Sequence, residues 1–350
     1  AMLDGPAIER SFGAGRLARE LDVMRASGVE TIRVVWSWEQ TQPYAAWEAV
    51  PEAERRRFRD VGGLPLAVAR LDRLVEQAAR RDMRVLPVTV ETPSWLVRRL
   101  GITGSPPREV GPYGDFMRAL VGRYGSRGSF WRERPQVPRR PVRWWQLWNE
   151  PHLRGYWNEP RWAPDYSALV RAGARAVHAT DRQARVVLAG MTTDRIAAWD
   201  HLDAVLAEGV GPEVDMVGAH VFTRRPRDVV RALTRFRRTL RAYGLGRTPI
   251  ALTEWSWPSS RGERSAGGLP WETTRRGQAK RVERTLRLLA RERRRLRLRT
   301  TVYYTWLSRD RGRGWAGWGG LRELIGAGRV ASKPALAAFR RVALALRRAR

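Results

Sequence analysis

Two hydrophobic periods alternate along this chain. Short apolar runs without polar alternation occur at 31–38, 84–90, 142–149, 184–190, 214–221, 249–253 and 300–306. Runs of this kind predict strands buried on both faces. Between them, apolar residues recur every three or four positions. Leu66, Val68, Leu71, Leu74, Val75 and Ala78 form one stripe, which predicts a helix over 65–82. Leu17, Leu21, Val23 and Met24 mark another, stopped by Gly28. Further helices are expected at 113–124, 165–179, 197–208, 227–243, 273–296 and 334–348, whereas 1–15, 44–63 and 311–320 read as irregular connections. Strands alternating with helices imply a parallel sheet. An open doubly wound sheet and a closed (β/α)8 TIM barrel both fit. No Gly-x-Gly-x-x-Gly follows an early strand and no P-loop is present. Polar groups recur instead at many strand ends, which favours the barrel as one domain over 1–350. Only seven strands are visible, so the first is expected within 1–8 or upstream, truncated or irregular.

The strand ends carry the candidate chemistry. The run Arg143-Trp144-Trp145-Gln146-Leu147-Trp148 stops at Asn149-Glu150-Pro151, because proline cannot donate to a ladder. Pro249 to Thr253 stops at Glu254-Trp255. Glu39, Glu91 and Asp310 also lie at strand ends and read as rim or loop carboxylates. Cleaving a glycosidic bond needs two carboxyl groups across it, one protonated to donate to the leaving oxygen and one ionised. A buried aromatic setting, such as Trp148 and Trp157 beside Glu150, favours the protonated form. A cation favours the ionised form, and Arg33, inside an apolar strand, needs a carboxylate partner. Glu254 is the expected one.

Composition removes several alternatives. There is no cysteine, so disulfides and thiolate metal sites are excluded. The four histidines (152, 178, 201, 220) lack metal-ligand spacing, and neither a metal nor another cofactor is expected. The net charge is +31, which raises nucleic-acid binding. All basic residues except Lys280 and Lys333 are arginine, and they spread along most helices. That distribution looks like coding bias rather than a binding tail, so no nucleic-acid partner is expected. No apolar segment reaches the length of a membrane span, about 18–20 residues. The 17 tryptophans include many near strand ends, where flat apolar faces suit sugar rings.

These residues carry a resemblance. Trp148-Asn149-Glu150-Pro151 after strand 4 and Thr253-Glu254-Trp255 after strand 7 resemble the clan A retaining glycoside hydrolases. The Thr92-Pro93-x-Trp95 turn and the Asn-Glu-Pro-His stretch look closest to family 39 or family 5. The resemblance implies a (β/α)8 fold with Glu150 as acid/base and Glu254 as nucleophile. It further implies Arg33 beside the nucleophile, Asn149 on the sugar 2-hydroxyl, His220 at the strand 6 position and Trp306 beneath the sugar. Trp36, Trp95, His152, Trp157 and Trp255 complete the expected substrate-binding set. The expected activity is hydrolysis of an oligo- or polysaccharide with retention, by a monomer that is secreted or held in the cell envelope after signal removal. One departure stands out: Phe222 occupies a strand 6 position where many relatives carry a tyrosine that hydrogen-bonds the nucleophile. It keeps a rival reading open, a non-catalytic carbohydrate-binding protein on a TIM-barrel scaffold.

Overall fold

The structure is a computed structural model, described for residues 2–3, 14–193, 199–263, 270–311, 315–325 and 329–349. Eight strands form one sheet in chain order: β1 (Met2–Leu3), β2 (Thr31–Ser37), β3 (Arg84–Val90), β4 (Trp144–Leu147), β5 (Arg185–Thr193), β6 (Met216–Val221), β7 (Ile250–Glu254) and β8 (Leu298–Thr301). Each is followed by a helix: α1 (Ala14–Ala26), α2 (Ala69–Arg80), α3 (Gly111–Tyr124), α4 (Trp162–Thr180), α5 (Asp200–Ala207), α6 (Pro226–Ala242), α7 (Arg275–Leu296) and α8 (Pro334–Arg348). This is the (β/α)8 architecture. The missing first strand is the short β1, parallel to β2 with Met2 opposite Arg33. The irregular stretch expected at 1–15 falls mostly outside the described residues.

The chain divides into two compact units, Ala1–Val34 with Thr192–Trp199 and Gly218–Arg350, and Val35–Met191 with Asp200–Val217. In the first, the turn after α1 reaches Gly28, whose φ of +84° suits glycine. An added Cβ there would lie 2.9 Å from the Ala343 side chain, so the glycine also lets α8 approach. The long helix α7 packs against α6 and α8. In the second unit α3 packs on α4, and Gly173 permits it, because a Cβ would meet the Tyr113 ring at 2.9 Å. Asp72 of α2 is buried and accepts from the Nε and Nη2 edge of Arg123, with Nε–Oδ1 at 2.8 Å and Nη2–Oδ2 at 2.6 Å, and from the Tyr124 hydroxyl at 2.7 Å.

Three predicted elements differ in detail. The helix expected from 65 starts at Ala69, because a hairpin of Arg59–Val61 and Leu64–Leu66 precedes it. β4 is only Trp144–Leu147, shorter than the apolar run, because the backbone turns at Trp148. β8 ends at Thr301 rather than 306. The apolar residues beyond it feed a small sheet of Leu307–Ser308, Arg322–Ile325 and Arg329–Ser332. No helix among the described residues is long and apolar enough to cross a membrane.

Candidate active site

The end of β7 supplies a buried anion with its counter-charge. Successive side chains on a strand point to opposite faces. Arg33 on β2 is fully buried, and its Nη1 lies 2.6 Å from Glu254 Oε1. At that distance the bond is short and charge-assisted. His220 on β6 is also fully buried, with Nε2 3.5 Å from the same oxygen. Burial, reinforced by the Arg33 charge and opposed by Glu254, pushes the His220 imidazole down to about 3. It is therefore neutral near pH 7, and the fixed positive charge beside Glu254 is that of Arg33 alone among these three. Arg33 already occupies Glu254 Oε1, so its charge disfavours a metal cation on the His220–Glu254 pair.

Phe222, 6% exposed, sits edge-on to Tyr304, with centroids 6.5 Å apart and planes at 84°. It offers no hydroxyl to Glu254. Tyr304 is half-buried, and its N–H donates to the Trp255 carbonyl at 3.1 Å. Nothing in the sequence pattern singles out Tyr304, because it lies inside the apolar run at 300–306.

The end of β4 supplies the second carboxylate, on a strained backbone. Trp148 has φ +71° and Glu150 φ +42°, on either side of Asn149. A non-glycine residue in this region costs on the order of 1–3 kcal/mol, and such residues cluster at functional sites. The surroundings hold the turn in place. The Trp148 N–H donates to the Thr89 carbonyl at 3.0 Å, and its indole N–H to the Tyr156 carbonyl at 3.0 Å. Its ring meets Trp157 edge-on at 5.2 Å. The Leu153 N–H closes on the Glu150 carbonyl at 2.9 Å. Asn149 and Glu150 are 5% and 8% exposed. His152 is half-buried and stacks on exposed His201, with centroids 4.3 Å apart, and Trp162 lies at 6.2 Å from it. His201 and Trp162 carry no motif that marks them as neighbours of this strand end.

The tryptophans separate into two groups. Trp95 is half-buried on the loop after β3, with its indole N–H donating to the Gln42 carbonyl at 3.0 Å, and it keeps an accessible face. Four others are buried and packed against protein groups. Trp36 alternates away from Arg33 on β2 and packs edge-on against Tyr124 of α3 and against Trp145, on the helix side of the strand. Trp255 alternates away from Glu254; its indole N–H donates to Thr301 Oγ1 at 2.7 Å, and its ring meets Tyr303 and Trp257. Trp306 is fully buried and donates to Glu20 on α1 at 2.8 Å. Trp157 lies between Trp148 and Tyr166 with 2% exposure.

Glu39 and Glu91 are exposed, and Glu39 Oε1 accepts from Ser94 Oγ at 2.8 Å. Asp310 is ion-paired with buried Lys333 at 2.9 Å, and Lys333 also donates to Ser259 Oγ and the Trp318 carbonyl.

No protein-family profile matches the chain, and no curated protein sequence matches it. Solved structures do. A glucosidase from Croceicoccus marinus is 16% identical with TM-score 0.66, over 93% of this chain and 62% of that one. A monomeric β-xylosidase from Caulobacter crescentus is 19% identical with TM-score 0.63, over 97% and 66%. A GH39 enzyme from Xanthomonas axonopodis pv. citri is 19% identical with TM-score 0.64, over 97% and 64%. The chain spans just under two thirds of the length of each of these proteins. At such identities the likeness is one of fold: the chain has the (β/α)8 fold that family 39 glycoside hydrolases also have.

Proposed function

We propose that the chain is a retaining glycoside hydrolase acting on an oligo- or polysaccharide. The observation that carries this reading is the difference between two buried strand-end glutamates. Glu254 ends β7 and is bonded to a fully buried guanidinium, which favours its ionised, nucleophilic form. Glu150 follows β4, three βα units earlier, on a strained turn that begins at Trp148, whose ring meets Trp157 edge-on. Strand carboxyl ends are where (β/α)8 enzymes carry their catalytic groups.

In the proposed reaction a Glu254 oxygen attacks the anomeric carbon while the glycosidic C–O bond breaks. Glu150 gives its proton to the departing oxygen. Water then attacks the glycosyl-enzyme ester, Glu150 takes the proton from that water, and Glu254 is released as carboxylate. Asn149 is assigned the sugar 2-hydroxyl, and Trp95 and His152 the rim of the sugar site. The substrate reading suits the similarity to a glucosidase and a β-xylosidase, and work on a polymer suits a secreted or cell-envelope monomer.

Glu254→Ala is expected to abolish turnover. Glu150→Ala is expected to retain more activity on aryl glycosides with good leaving groups than on alkyl glycosides, since such groups need little protonation. Product anomers followed by NMR should keep the substrate's configuration. Equal losses for both variants on activated substrates would defeat the role assignment, and the inverted anomer would defeat the double displacement. The rival reading, sugar binding without hydrolysis, draws on Phe222, which leaves Glu254 without a tyrosine hydroxyl from that position. Calorimetric binding of oligosaccharides with no hydrolysis over days would favour it.

A further inference from the structure

Helices α6 and α7 enclose a surface groove of about 530 Å³ lined by Val230, Arg231, Thr234, Arg235, Arg238 and Arg295. Four of these six residues are cationic and none is acidic. Arg231, Arg235 and Arg238 fall at i, i+4 and i+7 of α6, so they form one ridge along its surface. Exposed Arg227 extends the ridge by one more turn toward the helix start. Arg295 faces them from α7, with Nη2 3.2 Å from Thr234 Oγ1.

The charges on this ridge are unevenly met. Arg231 has Asp228 at 3.5 Å, and Arg295 has Glu292 at 2.5 Å. Arg235 and Arg238 are exposed and have no ion pair among the described residues. Behind them Arg237 is buried and spends its donors on carbonyls, Thr248 and Leu296 both at 2.7 Å. Burial first, and then the charges of Arg297 and Arg241, push its guanidinium down to about 10. Positive charge is therefore concentrated here beyond what local carboxylates neutralise.

We infer that this groove is a docking site for a linear acidic polysaccharide, on the outer helix layer and separate from the Arg33–Glu254 strand end. Charge complementarity selects an anionic chain. A row of guanidiniums at successive helical turns suits repeated carboxylate or sulfate groups, each met by paired N–H donors. The groove contains no aromatic ring, and stacking on aromatic rings is what single-stranded nucleic acids add to charge. No large apolar side chain lines it for insertion into a lipid surface. The site is independent of the proposed hydrolysis and would retain the protein on an acidic polymer whatever bond the strand-end carboxylates act on.

The test compares two triple variants that remove equal charge. R231Q/R235Q/R238Q removes three of the groove's four arginines, and R340Q/R347Q/R348Q removes three exposed arginines from α8. A fluorescent polygalacturonate oligosaccharide is titrated into wild type and both variants at several salt concentrations, with circular dichroism confirming the fold. The single variant R235E provides a second, smaller lesion. The groove variant is expected to lose tenfold or more in affinity, against less than twofold for the α8 variant. Its log–log salt slope should fall by roughly 2, about 0.7 per cation removed, by analogy with single-stranded polyanions. R235E should show an intermediate loss. Equal losses in both triple variants would reduce the attraction to diffuse charge and overturn the site. So would undetectable binding by wild type, or groove-dependent binding tighter to oligo-dT than to the polysaccharide, which would make nucleic acid the occupant.

Discussion

Arg33 acts through one bond whose loss is measurable without any substrate. Replacing it by methionine leaves the Glu254 carboxylate buried without its guanidinium, and breaking a buried pair from one side costs about 3–5 kcal/mol. Chemical denaturation of Arg33→Met should show a loss of that size, together with a large fall in kcat on aryl glycosides. A variant as stable as the parent would mean that Glu254 finds other solvation. His220 makes a separate prediction at the acid end. Its folded pKa, about 3, lies below the ordinary value of 6.5. Between those values the unfolded chain binds the proton and the folded chain does not. Its effect on stability is therefore absent above pH 6.5 and grows more unfavourable as pH falls toward 3, at about 1.4 kcal/mol per pH unit. His220→Asn should flatten that part of the stability–pH curve. An unchanged slope would show that other groups dominate acid unfolding. Glu150 and Glu254 are visible in the sequence as carboxylates at strand ends, and Arg33 as a cation inside an apolar strand. The orientation of each tryptophan is not, because a ring next to a carboxylate in sequence sits on the other face of the strand.

At the scale of elements, the apolar periods located seven strands and the helices between them. They failed where a local device intervened. The strained φ values at Trp148 and Glu150 end β4 before its apolar run does, and the residues after Thr301 leave the main sheet to seed a smaller one. Neither device has a period. Contacts between elements were equally hidden. Asp72 lies outside the apolar stripe of its helix, yet it is 3% exposed and gathers Arg123, Arg134 and Tyr124. Asp72→Ala should destabilise the protein by about 3 kcal/mol, since it strands a buried guanidinium that keeps only Glu133 and Ser129. Specific activity per folded molecule should be retained. A change in melting temperature under 2 °C would show that Glu133 compensates fully.

At the scale of the whole molecule, a net charge of +31 opposes compaction. Several surface arginines are paired within their own helix, as in Arg80–Glu76, Arg287–Glu283 and Arg57–Glu54, and such pairs contribute little. Salt screens the repulsion between unpaired arginines more than it weakens these short contacts. The melting temperature is therefore expected to rise between 10 and 300 mM sodium chloride, over which the screening length falls from about 30 Å to below 8 Å. A fall would mean that the ion pairs outweigh the repulsion.

The sequence by itself determined the alternation of strand and helix, and with it the parallel sheet and the (β/α)8 class. Burial on both faces writes itself into composition as unbroken apolar runs. It also determined that carboxylates end two of those strands, because proline and polar residues mark where a ladder stops. Only the tertiary structure decided which charges meet. Arg33 and Glu254 are 221 residues apart, and their 2.6 Å contact depends on strand order and side-chain direction, which no local period encodes. The same holds for the arginine groove between α6 and α7. Its ridge is legible in the helix, but its depth and its facing arginine arise from how two helices pack.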